Sequence, residues 1–460
     1  MALTTIDACN DAQPSQTDRW KALTRASLQE LFADSLFFRN YQTRREVPSL
    51  LFNDISTGNE LGKGKYGRVK VITSFESAKE SSKSFQRRQL FSLKGIQVAP
   101  DDELLDEKKD SRKEKQHEKS IQMLCKMHVR KNQFRYAIKV VNDDLDYETK
   151  TFSIVDLAKE ACFLQQIKHP NIIRLRATVG ELGTLSFGLV LDRLTSTLAD
   201  EVLEWIKQYP ECRQGRRIAV VNRLFVSRSR KQQLEAFYSH RLVVALDIAR
   251  ALRFLHKHNI VFRDLKPENL GISLRGHLIL VDFGCAKELK EKELIEHPDG
   301  YKASAMAGTV RFMAPEVMKG LPYGLSSDVY SFSLMMWLLF SLEKPFKNVR
   351  FASMKDLCNL ISEEGIRPQP LPILTGDMQN LIEDCWSANR ADRPSIDHVC
   401  SILRAEIDAT VNPSAKRHFI DRTKHILDIS LHSLSLYSDC SSPDVMVPDL
   451  SPENKLKRLC

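Results

Sequence analysis

The sequence has no apolar run near the roughly 18 residues that a bilayer-spanning helix needs. Its longest candidate, Leu334–Phe340, is short and flanked by serines, so it reads as a buried helix. None of the 10 cysteines forms a CxxC pair or stands at ligand-like spacing from histidine, which argues against a zinc site. Met1 to Ser15 lack the charged-then-apolar pattern of a secretory leader, so the thiols are expected to stay reduced in a cytoplasmic setting with possible nuclear access. No internal repeat is present, which excludes a solenoid. Glycine and proline number 18 each in 460 residues, too few for a collagen-like or low-complexity chain. Charge of one sign is not strongly in excess: 68 basic against 59 acidic residues leaves +9, compatible with anionic partners but demanding none. What remains, 42% hydrophobic and 28% charged, is ordinary globular material.

Apolar spacing over 17–46, carried by Trp20, Leu23, Leu28, Leu31 and Phe32, predicts a helical N-terminal extension. A β-rich stretch follows at 52–73. Within 74–133 the run from Asp101 to Lys119 is almost wholly polar and reads as a solvated helix or a disordered insertion. Strand-like sequence resumes at Phe134–Val141, then a helix at Thr151–Ile167 and a strand at Leu185–Asp192. Beyond Leu198 helical patterns dominate, with loops near 263, 282–315, 341–350 and 364–374. The basic stretch at 206–233 reads as a solvated face or a dock for acidic partners. Nucleic acid is disfavoured there, because no aromatic platform is interleaved. From Val411 the chain is Ser-rich and reads as a tail, with one further helix at Ala415–Leu436. This order predicts an α+β chain, a small β-rich lobe on a larger α-helical lobe with a cleft between them.

Six motifs carry chemistry. Gly62-Lys63-Gly64-Lys65-Tyr66-Gly67 is by itself either a surface turn or a phosphate-binding loop, but Val69, Val71 and Ile72 continue it as a strand, unlike the strand–loop–helix of a dinucleotide site. Lys139, in Tyr136-Ala137-Ile138-Lys139-Val140-Val141, is an edge-strand lysine or a phosphate-pairing ammonium that needs an acid to hold it. Glu160, mid-helix, is by itself an ordinary solvent-facing acid. Val261-Phe262-Arg263-Asp264-Leu265-Lys266-Pro267-Glu268-Asn269 is far more specific: Asp264 suits a hydroxyl proton, Lys266 a transferred phosphoryl group and Asn269 a cation. Asp282-Phe283-Gly284 ends an apolar strand with a carboxylate suited to a hard divalent cation. Gly308-Thr309, followed by Met313-Ala314-Pro315-Glu316, completes the set.

Together these residues resemble the eukaryotic protein kinase family, in order, spacing and residue type, from Asp54 to Ile407. The resemblance implies a protein-kinase-like two-lobe fold at 52–408. Its N-lobe would occupy 52–192, with one main helix and the insertion at 74–133. Its C-lobe would occupy 193–408, with the insertion at 206–233. Residues 1–51 would be an extension and 409–460 a tail. It implies ATP and Mg²⁺ as cofactors and proteins as substrates. Gly62, Gly64 and Gly67 would cover the phosphates, with Val69 and Ala137 also binding the nucleotide. Lys139 would pair the α- and β-phosphates, held by Glu160. Asp264 would be the catalytic base, Lys266 its phosphoryl-neutralising partner, and Asn269 and Asp282 the metal ligands. Leu191, Asp192 and Leu194 would lie at the hinge beside adenine. Glu316 and Arg393 would tie the activation segment to the lower lobe, Asp328 would brace the catalytic loop, and Leu164, Leu175, Phe262 and Phe283 would stack between the lobes.

Lys266-Pro267-Glu268 after Asp264 is similar to serine/threonine kinases, and Cys385-Trp386 with Arg393-Pro394 to their tyrosine-kinase-like branch. A pseudokinase scaffold and a small-molecule phosphotransferase are the alternatives. The complete ion-handling set argues against the first, and Ala314-Pro315-Glu316 against the second. Two departures stand out. Phe262 replaces the usual histidine, and Gly271 replaces the apolar side chain of the adenine floor, so Gly271→Leu is expected to tighten ATP binding. Phosphorylated Ser304 is expected to meet Arg263 and Lys287 and order the activation segment.

Overall fold

The computed structural model describes residues 15–40, 47–64, 66–75, 118–130, 132–215, 227–297, 299–302 and 308–410. The expectations for Asp101 through residue 117, for the middle of the basic stretch, for Ser304 and for the tail from Val411 lie outside the described residues.

The chain enters with helices α1 (Gln16–Phe32) and α2 (Leu36–Asn40) and a short strand β1 (Ser49–Leu50). The single helix expected over 17–46 breaks after Phe32, where Asp34 takes a left-handed φ of 55°. Strands β2 (Ile55–Lys63) and β3 (Gly67–Phe75) form the first hairpin, and a small ribbon follows, β4 (Val129–Arg130) with β5 (Gln133–Phe134). Next come β6 (Tyr136–Val141), helix α3 (Tyr147–Gln166), β7 (Leu175–Val179) and β8 (Gly188–Asp192). Among the described residues one sheet takes the order β1-β7-β8-β6-β3-β2. Central β6 is largely buried and pairs with β3 on one side and β8 on the other. The extension is therefore not separate: Ser49 and Leu50 pair in parallel with Thr178 and Val179. Helix α3 starts four residues before the sequence pattern predicts, because the Asp146 carboxylate accepts the Thr149 N–H at 2.9 Å and caps it. It ends at extended Ile167, three residues before Pro170.

The lower lobe opens with β9 (Leu194–Thr197), α4 (Leu198–Gln208) and the long α5 (Arg228–His256). Short strands follow: β10 (Ile260–Val261), β11 (Leu270–Ser273), β12 (Leu278–Leu280), β13 (Lys287–Glu288), β14 (Leu294–Glu296) and β15 (Gly300–Tyr301). Helices α6 (Pro315–Met318), α7 (Ser326–Ser341), α8 (Met354–Ser362), α9 (Gly376–Cys385) and α10 (Ile396–Thr410) complete it. Every residue of α7 from Ser327 to Ser341 is buried, which is why this segment looked so apolar. No described helix is long and apolar enough to cross a membrane.

Asp328, fully buried in the first turn of α7, organises the loop beneath the cleft. Its Oδ2 accepts the Phe262 N–H at 2.8 Å and lies 3.0 Å from His256 Nε2, while Oδ1 accepts the Arg263 N–H at 2.9 Å. These bonds hold Arg263 at a φ of 71°, a conformation costly for a non-glycine residue. Asp328→Ala strands two buried N–H donors, so it is expected to destabilise the fold by about 3 kcal/mol or more, with Asp328→Asn milder. Urea denaturation midpoints measure both.

Candidate active site

Between the lobes, three elements deliver charge to one place. Lys139 comes from β6, with its backbone registered against Val69 of β3 and Leu189 of β8. Its Nζ lies 2.6 Å from Glu160 Oε2 on α3 and 3.1 Å from Asp282 Oδ1, just beyond β12. Read alone, Glu160 suggested a solvent-facing acid; it is buried, at 1% exposure, and paired. Burial works against the Lys139 charge, but the Asp282 and Glu160 carboxylates overcome it and hold the ammonium above its ordinary pKa. Lys139 in turn holds the Asp282 carboxyl below the usual range. For Glu160 burial pushes upward and Lys139 pulls back.

The second cluster lies on the loop after β10. Asp264 Oδ2 accepts from Lys266 Nζ at 2.6 Å and from Asn269 Nδ2 at 2.9 Å, and Oδ1 accepts the Thr309 hydroxyl at 2.8 Å. Lys266 also reaches Thr309 Oγ1 at 3.2 Å. Gly308 makes this approach possible: its φ is 107°, and a Cβ there would sit 2.4 Å from the Arg263 carbonyl oxygen. An aliphatic hydroxyl thus rests directly against the Asp264 carboxylate. Glu316 and Arg393 form a buried two-bond pair at 2.7 and 2.8 Å, anchoring the end of this segment.

The glycine loop closes over the first cluster. The Gly64 N–H donates to the Gly67 carbonyl at 2.9 Å, and a Cβ on Gly67 would lie 3.9 Å from Lys139 Cε. Gly62 stands in open space opposite Val69. Ala137 and Leu191 pair across β6 and β8 as inner-wall residues. The Asp192 carboxylate is turned to Arg176, which holds it at 2.8 and 2.7 Å. Leu164, Leu175, Phe262 and Phe283 are all buried in one core, with the two phenylalanine rings 5.4 Å apart.

Comparison with protein families matches residues 120–402 to the protein kinase domain. The chain belongs to the protein kinase family. Similar proteins include a probable serine/threonine-protein kinase, gdt4, of Dictyostelium discoideum, 29% identical over 55% of this chain and 14% of the relative. The serine/threonine-protein kinase CTR1 of Arabidopsis thaliana is 27% identical over 60% of this chain and 29% of the relative. A dual serine/threonine and tyrosine protein kinase of Gallus gallus is 30% identical over 38% of this chain and 18% of the relative. The chain spans less than a third of the length of each. The glycine loop lies before the matched region, beyond the insertion, yet β3 joins it to β6 in one kinase N-lobe sheet. ATP is the substrate this fold binds.

The donor set fits a divalent cation. The Asp282 side chain is half-exposed and held ionised, and Asn269 adds an amide, both hard-oxygen groups.

Gly271 departs from the expectation. The space above it is not empty: a Cβ there would meet Leu194 Cδ1 at 2.3 Å and Cγ at 3.2 Å. Leu194 of β9 fills the position that a side chain at 271 would take. Gly271→Leu is therefore expected to displace Leu194 and raise the KM for ATP, since overpacking costs about 1–3 kcal/mol. Steady-state ATP titration checks it; a lowered KM would mean the floor does have room.

Residues that sequence reasoning missed lie outside the motifs. Asp156, one turn before Glu160, stands beside Gly284, and burial pushes its carboxyl up. Phe163 on α3 lies 6.5 Å from the Phe283 ring. Glu288 accepts bonds from the N-terminal extension. None has a local sequence signal; only the Trp20, Leu28 and Phe32 stripe showed that the extension needed a partner.

Proposed function

We propose that the chain is an ATP-dependent serine/threonine protein kinase of the tyrosine-kinase-like branch, using Mg²⁺ to transfer the γ-phosphoryl group to serine and threonine hydroxyls of proteins. The observation that carries the reading is the contact of Asp264 and Lys266 with the Thr309 hydroxyl. It gives the proton acceptor and its neutralising ammonium the spacing that an aliphatic acceptor hydroxyl needs. Lys139, held between Glu160 and Asp282, binds and orients the phosphates. Asp264 orients the acceptor hydroxyl and takes its proton. Lys266 offsets charge on the moving phosphoryl group. Asp282 and Asn269 would hold Mg²⁺, which when bound neutralises phosphate charge.

Control by phosphorylated Ser304 gains no support from the described residues. Lys287 already lies 3.0 Å from Glu293, and Arg263 donates to the Cys285 carbonyl at 2.5 Å and to the Tyr323 hydroxyl at 3.2 Å. A cytoplasmic setting with nuclear access belongs to the proposal, supported by the described cysteines, which stand as free thiols.

The test is transfer from γ-labelled ATP to a mixed protein substrate, followed by phosphoamino-acid analysis. Label is expected on serine and threonine, and excess EDTA is expected to abolish it. Label on tyrosine alone, or transfer undiminished by EDTA, contradicts the proposal.

A further inference from the structure

We propose that residues 15–40 form a brace that sets the position of α3, with Phe37 and Glu288 as positioning residues for phosphoryl transfer. The inference rests on the kinase reading of the site and adds a control element to it.

The brace touches the two parts whose relative placement makes the Lys139 cluster. One part is α3, which carries Glu160. Trp20 Nε1 donates to Thr151 Oγ1 at 3.0 Å, and its ring stacks on Tyr147 with centroids 5.9 Å apart. Phe37 and Phe38 lie 6.0 and 5.4 Å from the ring of Phe163, three residues beyond Glu160 and next to Phe283. The other part is the strand that follows Asp282. Glu288 is buried, at 4% exposure, and its Oε1 accepts the N–H groups of Leu36 and Phe37, each at 2.8 Å. Its Oε2 accepts the hydroxyl of fully buried Ser35. Two lysines strengthen the join. Lys290 Nζ reaches the carbonyls of Glu30 and Ala33 at 2.9 and 2.6 Å, and Lys292 pairs with Asp34 at 2.5 Å.

Glu288 also lies opposite Ile260 in the β10–β13 pair, and β10 leads into the loop of Asp264. A buried carboxylate needs its hydrogen bonds. Without Ser35, Leu36 and Phe37, Glu288 must move toward water and take β13 with it. Phe163 would lose its contacts with the rings of Phe37 and Phe38 in the same step. The Glu160–Lys139 contact, carried by α3, then loses its reference.

The test uses the full-length chain, well below its melting temperature. Phe37→Ala and Glu288→Ala are expected to lower kcat about tenfold or more, as a shift of population away from the paired arrangement. Amide exchange across Tyr147–Gln166 is expected to speed up by a similar factor. Glu288→Gln, which keeps an oxygen for the two N–H groups, is expected to return kcat to within about threefold of the native rate. Trp20→Phe, which keeps a ring and loses the indole N–H, is expected to quicken exchange in the first turns of α3; it serves if Glu288→Ala does not fold. A lowered melting temperature with kcat within about twofold of native and unchanged exchange in α3 would overturn the proposal. If the native chain transfers no phosphate, the catalytic reading fails, and exchange in α3 still decides the brace.

Discussion

Asp264→Asn is expected to lower kcat by about 10²–10⁴-fold, the usual contribution of a positioned proton acceptor. The replacement is nearly isosteric. Its amide oxygen can still accept one of the bonds that Lys266, Asn269 and Thr309 now direct at the carboxylate. The loop is anchored independently by Asp328, so the fold is expected to survive. Asp264 is not in contact with Lys139, and the KM for ATP is expected to change little. Initial rates against ATP, with a melting curve alongside, separate the outcomes. A variant that keeps the native rate would remove Asp264 from the proton transfer.

Lys139→Met is expected to cost about 10²–10³-fold in kcat, the scale for deleting one preorganised electrostatic contact at a reacting group. It also leaves buried Glu160 without its counter-charge, which costs about 3–5 kcal/mol of stability. The pH dependence has a definite sign. Asp282 has a lowered carboxyl pKa in the fold, so its share of stability is present above its unfolded value and lost in acid. Lys139 has a raised pKa, so its share is present below its unfolded value and lost as pH climbs past the folded one. The stability gap between native chain and variant should therefore be widest between about pH 5 and pH 10 and narrow on both sides. Denaturant midpoints across pH measure it; a gap that stays constant with pH would mean the carboxylates do not depend on this lysine.

The cluster of Asp264, Lys266 and Asn269 was legible because its members lie close in sequence. Asp264, Lys266 and Asn269 share one loop, whose short connections leave few ways to place them apart. Lys139 was legible as a lone charge in an apolar strand, and Glu160 only as the acid such a charge requires. The Leu194 side chain over Gly271 was not legible. It depends on the register of β9 against β11, which sets Gly271 opposite Thr197 and Ser273 opposite Leu194 across a long stretch of chain. Nor was the partner of the N-terminal helix. The spacing of Trp20, Leu28 and Phe32 says that one face is covered, but Thr151 and Glu288, which receive the segment, look like any other polar residues. The break after Phe32 was hidden too, since Phe37 and Phe38 continue the apolar pattern in a different direction.

That side chains from distant motifs meet around a single nucleotide–metal complex is tested most directly by a double-mutant cycle on Mg-ATP affinity. Calorimetric titration of the native chain, Lys139→Met, Asp282→Asn and the double variant supplies the four affinities. If both residues hold the same triphosphate and each other, at the 3.1 Å seen between them, the losses are not additive and the coupling exceeds about 0.5 kcal/mol. Losses that add to within about 0.3–0.5 kcal/mol would place the two residues at independent sites and contradict the shared cleft.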